Sequence, residues 1–339
     1  MPVAAVTGAS GFLGSHLCAI LLQKGYSVRA FVKQADDVER VVQYCSLYGV
    51  EYADNLHVVA GGDLTNVDAL VFLVTGADVV FHCAALVSFM KKHHNNLMES
   101  NWQGTENVVN ACLRAGVKKL VHTSSVAALG REKGQRVADE KTVWTESSLN
   151  TSYAVSKHLA ELAVWRGAEE GLSVSMVNPG IILGPCLSDT GSGLIFKRAK
   201  KGAVVYPAGS NGFVGVEDVA RLMIAIFEAD VWGHRFVAVS ENLSYKDLLT
   251  MLAKAYKKPT PYIKISPGLA RILARVLGFF EGLGLKTPWP AQGLISTSIV
   301  SHYQSINIAL VPGFTFTPIS EVIKSSVVFL PCFFLFWFI

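Results

Sequence analysis

Between a short apolar run, Val3 to Thr7, and a segment of helical periodicity, Phe12 to Lys24, the chain reads Thr7-Gly8-Ala9-Ser10-Gly11-Phe12-Leu13-Gly14. Glycines at GxxGxxG spacing, with a strand before and a helix after, leave few folds open. A dinucleotide pyrophosphate must approach the backbone closely and face a helix N-terminus, where N–H groups have no intrahelical partner. Gly8 permits the tight turn, Gly11 keeps a side chain out of the phosphate's path, and Gly14 lets helix and strand approach. The turn predicts cofactor contacts from Gly8, Gly11, Phe12, Leu13 and Gly14.

The first half keeps this rhythm. Strand candidates at Ser27–Val32, Leu56–Ala60, Asp78–His82, Lys118–Thr123 and Ser173–Asn178 alternate with helical patterns such as Trp102–Ala115 and Tyr153–Glu169. Apolar strands without strict alternation, separated by helices, indicate a parallel sheet covered on both faces. The predicted fold is α/β, a Rossmann-type doubly wound parallel sheet with right-handed crossovers. After Pro179, Gly and Pro become frequent, and short helices follow at Asp218–Phe227 and Tyr245–Tyr256. The expected division is a dinucleotide-binding domain over 1–180, a discontinuous and mainly substrate-binding lobe over 181–326, and a hydrophobic tail over 327–339.

Further motifs follow the glycine turn in order: Gly62-Asp63-Leu64, His82-Cys83-Ala84-Ala85, Asn101-Trp102-Gln103-Gly104-Thr105, Thr123-Ser124-Ser125, Tyr153-Ala154-Val155-Ser156-Lys157 and Asn178-Pro179-Gly180. This ordered set resembles the extended short-chain dehydrogenase/reductases, also called the NAD-dependent epimerase/dehydratase family. The resemblance implies that Asp63 and Leu64 contact the adenine, that Ala84 and Ala85 border the centre of the cofactor, and that Asn101 lies near its nicotinamide half. It also implies that Pro179, Ile181 and Ile182 line the nicotinamide. Read alone, Asp63 is equally a strand-end cap, Asn101 a helix N-cap and Pro179 a plain turn residue.

Tyr153 and Lys157 stand four apart in a helical segment, so both side chains leave one face, a turn apart. Carbonyl reduction needs a proton donor at the oxygen that hydride attack makes anionic. A phenol with a free pKa of about 10 does this poorly at neutral pH until a nearby ammonium stabilises its phenolate. Lys157 supplies that charge and, by the resemblance, binds the nicotinamide ribose. Ser125 is expected to hold the substrate oxygen by a hydrogen bond, with Ser124 the alternative. The catalytic set is Ser125, Tyr153 and Lys157, and Tyr153 and Lys157 also join the cofactor contacts.

NAD-selective sites usually place an acidic residue at the end of the second strand, on the ribose 2′-hydroxyl. Here Val28-Arg29-Ala30-Phe31-Val32-Lys33 ends in a base. A cation pairs with a 2′-phosphate, so NADP is the expected cofactor, with Lys33 its selector and Arg40 near from the next helix. Asp36 and Asp37 keep NAD open, and Lys33 is alternatively a solvated strand end. Sugar-nucleotide dehydratases of the family follow their catalytic Ser/Thr with Asp-Glu, whereas Val126-Ala127 follows Ser125. The motifs look more like the dihydroflavonol reductase and 3β-hydroxysteroid dehydrogenase-like branch. That branch implies hydride transfer between a nicotinamide cofactor and a ketone or secondary alcohol of a small molecule. The alternatives are a nucleotide-sugar epimerase of the same fold and a non-catalytic dinucleotide-sensing protein. Sensing proteins commonly lack the Tyr or the Lys, and both are present here.

Composition closes other doors. Lys plus Arg number 30 against 26 Asp plus Glu, a formal charge of +4, which gives no electrostatic case for nucleic acid as a partner. With 51% hydrophobic and 17% charged residues, a disordered or coiled-coil chain is excluded. Cys18, Cys45, Cys83, Cys112, Cys186 and Cys332 form no CxxC pair and no Cys/His cluster, so reduced thiols and no metal site are expected. A strand beginning at Val3 leaves no signal peptide, and a cytoplasmic location is the expectation.

The second half is less explicit. Phe213 to Ala220 resembles a family segment that starts a helix near the substrate, with Asp218 either facing it or capping the helix. Lys91, Lys92, His93 and His94 read as a solvated loop. Pro267 to Lys286 sets Arg271 and Arg275 one turn apart among large apolar residues, and is expected to be a core helix of the lobe rather than an amphipathic surface helix. Val327 to Ile339 is an almost purely apolar run of 13 residues broken by Pro331, short of the roughly 20 that cross a bilayer as a helix. A run this apolar is expected to be covered by a membrane surface peripherally, by a homodimer partner or by the protein's own core.

Overall fold

The computed structural model describes residues 1–50, 54–130, 137–186, 193–283, 285, 287 and 290–335. At its centre, seven strands pair in parallel: β1 (Val3–Thr7), β2 (Ser27–Val32), β3 (Leu56–Ala60), β4 (Val79–His82), β5 (Lys119–Thr123), β6 (Ser173–Pro179) and, much later, β10 (His234–Ala238). Their spatial order is β10-β6-β5-β4-β1-β2-β3. All six predicted strands form, each within one residue of its expected bounds. The central strands bury both faces, which is why β1, β4 and β5 are nearly continuous apolar runs without alternation.

Helices sheathe both faces. On one lie α1 (Phe12–Gln23), α2 (Val38–Leu47) and α8 (Val216–Glu228), around a core that includes Leu17, Leu21, Phe81, Met223 and Phe236. On the other lie α3 (Val67–Val74), α5 (Gly104–Ala115) and α6 (Ser152–Glu169), around Leu70, Leu73, Val108, Leu120 and Met176. Each such fully buried Leu, Val, Phe or Met contributes about 1.5–3 kcal/mol relative to exposure. Two short helical turns, Lys91–His93 and α4 (His94–Leu97), replace the loop expected at Lys91 to His94, and they run into the π-helical turn Met98–Gln103 ahead of α5.

The lobe builds on two small sheets. One joins β7 (Ile181–Leu183), β9 (Ser210–Gly215) and β11 (Glu241–Ser244); the other joins β8 (Val205–Pro207) to β12 (Ile263–Ile265). With α7 (Gly193–Lys201), α9 (Tyr245–Ala255) and α12 (Ile319–Leu335), they enclose a third core of Leu183, Phe196, Phe213, Leu248 and Ile323. From this lobe the chain returns to the large sheet to add β10 beside β6. Glu140, 7% exposed, fastens later chain to that edge: its carboxylate accepts the N–H of Val237 at 2.9 Å, of Ile306 at 2.9 Å and of Asn307 at 3.2 Å. Asp218 is neither a cap nor open to a substrate. It is buried in the first turn of α8, accepting the Thr317 N–H at 2.7 Å and hydroxyl at 2.9 Å, while Gly215 takes the N-cap position.

α10 (Pro267–Gly282) overturns the core-helix expectation. Only Ala270 and Ala274 are buried, while Ile272, Val276, Phe279 and Leu283 are at least 50% exposed. The helix meets α11 (Ala291–Ser296) on its small-residue side, where a Cβ on Gly278 would lie 3.7 Å from that of Ala291. α12 continues through Pro331, which the sequence marks as a break; most of the tail beyond Val327 falls outside the residues whose side chains are described.

Candidate active site

The strand order reverses between β1 and β4, and in open parallel sheets ligands bind in the crevice at such a switch point. The glycine turn lies there. Gly8 adopts φ +66°, and a Cβ on it would fall 2.6 Å from the Cα of Ala84, across the crevice. A Cβ on Gly14 would fall 2.1 Å from the Gly8 carbonyl oxygen; on Gly11 the same oxygen would be 3.0 Å away. The backbone is therefore drawn into a bare cradle that any side chain would fill. Gly11 is the N-cap of α1 and offers no side-chain cap, so the first-turn N–H groups at Phe12, Leu13 and Gly14 face outward as anion donors. The cradle fits a dinucleotide pyrophosphate.

At the far end of the crevice, the backbone ties β2 to the turn after β3: the N–H of Gly62 donates to the Lys33 carbonyl at 3.1 Å. Lys33 is exposed. Hydrogen bonds from the Thr65 hydroxyl and N–H hold the Asp63 carboxyl below its ordinary value, and the Lys33 charge adds to this. Asp37 is already engaged, accepting the Gln34 N–H at 3.2 Å in a capping box. Leu64 is buried in the core beside Gly104, where a Cβ would lie 2.7 Å from the Leu64 Cδ1.

Ser125, Tyr153 and Lys157 come together beyond the C-terminal end of β5. Ser125 N-caps the turn Val126–Leu129, its hydroxyl accepting the Ala127 N–H at 3.1 Å. Burial raises the Tyr153 phenol above its ordinary value of 10.0, and the Ser125 hydroxyl beside it partly offsets this. Ser124 is turned away, donating to Glu161 Oε1 at 2.5 Å, so Ser125 is the serine at the tyrosine. Thr151 caps α6 by accepting the Ala154 N–H at 3.1 Å, which places Tyr153 in the first turn. Lys157 is 1% exposed and donates to the Thr123 carbonyl at 2.7 Å. Burial pulls its ammonium down from 10.5 to about 8, against the opposing charge of Glu161. Phe89 closes over the tyrosine, ring to ring at 6.1 Å.

The sequence reading missed Glu161, although it sits one further turn along the Tyr153–Lys157 face. Its carboxylate, raised by burial, takes hydrogen bonds from Ser124 and from the Asn178 amide at 2.5 Å, and pairs with Arg235 at 3.4 Å. Asn178 also donates to the Ser125 carbonyl at 3.0 Å. One buried acid thus organises the ends of β5 and β6 and the helix between them. Asn101, 1% exposed in the π-helical turn, is neither an N-cap nor open to the crevice. Its amide accepts the Leu86 N–H at 2.7 Å and donates to the Leu86 carbonyl at 2.9 Å and the Ser156 hydroxyl at 3.0 Å.

His82 pins the end of β4, hydrogen-bonded to Thr7 at 2.6 Å and Thr105 at 2.9 Å. Burial, then the Lys157 charge, pull it down to about 3, so it is neutral. Cys83 stays a thiol, pushed up to about 12 by burial. Ala84 borders Gly8, and Ala85 is exposed beyond it. Pro179 ends β6, and Ile181 and Ile182 are half-buried on β7. The arrangement supplies a phosphate cradle, two neighbouring hydroxyls and a buried cation in one crevice: the parts for moving a proton to or from an oxygen.

The model of the NAD dependent epimerase/dehydratase family matches residues 4–238. Cinnamoyl-CoA reductase 1 of Petunia hybrida is 32% identical over 271 residues, which cover 76% of this chain and 79% of that protein. A (2S)-flavan-3-ol-forming anthocyanidin reductase of Vitis vinifera is 30% identical over 311 residues, covering 84% and 90%. Among solved structures, that of gox2253 shares 26% identity and a TM-score of 0.80, with 98% of each chain covered.

Proposed function

The chain belongs to the NAD dependent epimerase/dehydratase family, and we propose that it is one of its reductases, transferring hydride between NADP and a ketone or secondary alcohol of a small molecule. The observation that carries this reading is the buried ammonium of Lys157, held on the Thr123 carbonyl at 2.7 Å one helical turn from Tyr153, with the Ser125 hydroxyl beside the phenol. Both relatives named above are reductases by name, which supports reduction over epimerisation.

The pyrophosphate would be held by the first-turn N–H groups of α1 over Gly8 and Gly11, the 2′-phosphate by Lys33, and the nicotinamide ribose by Lys157. When bound, the cofactor supplies or takes the hydride. Every other task falls to the chain. The Ser125 and Tyr153 hydroxyls orient the substrate oxygen between them. Tyr153 Oη holds the proton that this oxygen takes up in reduction and receives it back in oxidation. The Lys157 cation lowers the cost of leaving charge on Tyr153 Oη after the proton departs. Phe89 and the half-buried Ile181 and Ile182 exclude water, which strengthens these charge interactions.

The test is a screen of ketones, steroids and nucleotide sugars for absorbance change with NADPH and with NADH. Oxidation of NADPH by a ketone, faster than that of NADH, is expected. Interconversion of a nucleotide sugar without net cofactor turnover would replace the proposal with the epimerase reading.

A further inference from the structure

α10 is built to face away from the protein. At 3.6 residues per turn, Leu269, Ile272, Val276, Phe279, Phe280 and Leu283 fall within an arc about 100° wide, and all six are exposed, Phe279 at 66%. Arg271 and Arg275, exposed and one turn apart, flank one edge of that arc. The opposite side, through Ala270 and Ala274, is the buried one. Tyr262 and Ile263, just ahead of the helix in the chain, are also exposed, Tyr262 at 74%. A monomer in water seldom leaves so continuous an apolar strip uncovered.

The elements linked to α10 through β12 are basic. β12 leads directly into α10 and pairs with β8, against which α9 packs, and α9 packs in turn on α7. These elements and their connections carry exposed Lys200, Lys201, Lys254, Lys257, Lys258 and Lys264. Their acidic groups are already engaged: Asp247 accepts from the Ser244 hydroxyl at 2.6 Å, and Glu281 from the Thr287 hydroxyl at 2.9 Å and the Ala291 N–H at 3.0 Å.

We propose that this face docks the protein on an anionic phospholipid bilayer, with α10 lying in the plane of the interface. The exposed apolar arc enters the boundary between headgroups and acyl chains, and the arginines and these lysines meet lipid phosphates and carboxylates. A second copy is the poorer occupant: a two-fold contact through this face would set Arg271 and Arg275 against their own copies. This inference stands apart from the reaction proposed above.

The experiment is co-sedimentation of the full-length protein with vesicles of phosphatidylcholine alone and of phosphatidylcholine with phosphatidylserine, with solution mass measured in parallel. Phosphatidylserine vesicles should pellet the protein, in a salt-sensitive way. Ile272→Asp/Phe279→Asp should lower the bound fraction at least tenfold, and Arg271→Glu/Arg275→Glu should lower it and remove most of the lipid-charge preference. The substituted side chains are exposed, so an unchanged melting temperature shows that the variants fold. No pelleting overturns the proposal, and so does pelleting that survives Ile272→Asp/Phe279→Asp, which puts the contact elsewhere. A dimer that this double variant dissociates shows a second copy on the face and overturns it equally.

Discussion

The Asn101 amide donates to the Ser156 hydroxyl at 3.0 Å, and through that bond the loop after β4 is fixed to the helix bearing Tyr153 and Lys157. The same amide closes on both backbone groups of Leu86. Asn101→Ala should leave the N–H and carbonyl of Leu86 unpaired, at a cost of about 2–3 kcal/mol. Urea denaturation reads this as a lower midpoint at unchanged slope; an unchanged midpoint would mean that water replaces the amide.

Tyr153→Phe removes one hydroxyl and keeps the ring beside Phe89. Turnover should fall by about two orders of magnitude or more, with NADPH affinity nearly intact. Lys157→Ala should damage both. Near-normal turnover in Tyr153→Phe on the true substrate would remove the tyrosine from the chemistry.

The glycine cradle predicts a graded response. A Cβ on Gly14 meets the Gly8 carbonyl at 2.1 Å, against 3.0 Å for Gly11. Gly14→Ala must move backbone, an overpacking cost of about 1–3 kcal/mol, and should weaken NADPH binding more than Gly11→Ala. Equal losses, measured by cofactor fluorescence, would show that the phosphate and not the turn's packing governs both.

Lys33→Asp replaces attraction to a 2′-phosphate with repulsion and sets a second carboxylate beside Asp63. The ratio of NADPH to NADH affinity should drop by about tenfold or more, or about 1.4 kcal/mol. Calorimetric titration of both cofactors decides it, and an unchanged ratio would move the selector to another residue such as Arg40.

Lys157 sets the pH response. Its value in the folded protein, about 8, lies below the ordinary 10.5 because burial disfavours the ammonium. The unfolded chain therefore binds this proton more tightly between those values, so the Lys157 contribution to stability rises as pH climbs from about 8 towards 10.5. Activity should run the other way, falling as the cation is lost through about 8. Glu161→Gln removes the carboxylate that holds the lysine's value up, so the alkaline limb of kcat/KM should move to lower pH. A limb that stays in place belongs to a different group.

The sheet was legible because each strand is an apolar run bounded by turn residues, and the crevice because the glycine turn opens directly on β1. The choice of Ser125 over Ser124, made in the sequence from the family's pattern, has a physical reason in the structure: Glu161 holds the other hydroxyl. Glu161 itself was within reach of helical spacing, four residues past Lys157, but a Glu on a helix normally marks a solvated face. For α10, periodicity gave the apolar face correctly and its direction wrongly. A stripe of Ile, Val and Phe has the same spacing whether it points inward or outward, and only the small Ala270–Ala274 side hinted at the reversal. Of the readings of Asn101, only that of a helix N-cap is settled: it lies inside a π-helical turn whose N-cap is Leu97, which helical periodicity does not reveal.

The three backbone N–H groups on Glu140 arrive late. Val237 lies 97 residues downstream, and Ile306 and Asn307 lie 166 and 167 residues downstream. On the ribosome, the segment around Glu140 emerges long before any of its partners exist. Its carboxylate stays hydrated until then, and the flank of the sheet beside β6 stays open. The crevice half of the molecule is thus synthesised whole and waits for its own C-terminal third to seal it, which makes a prematurely terminated chain one with an unpaired strand edge at β6.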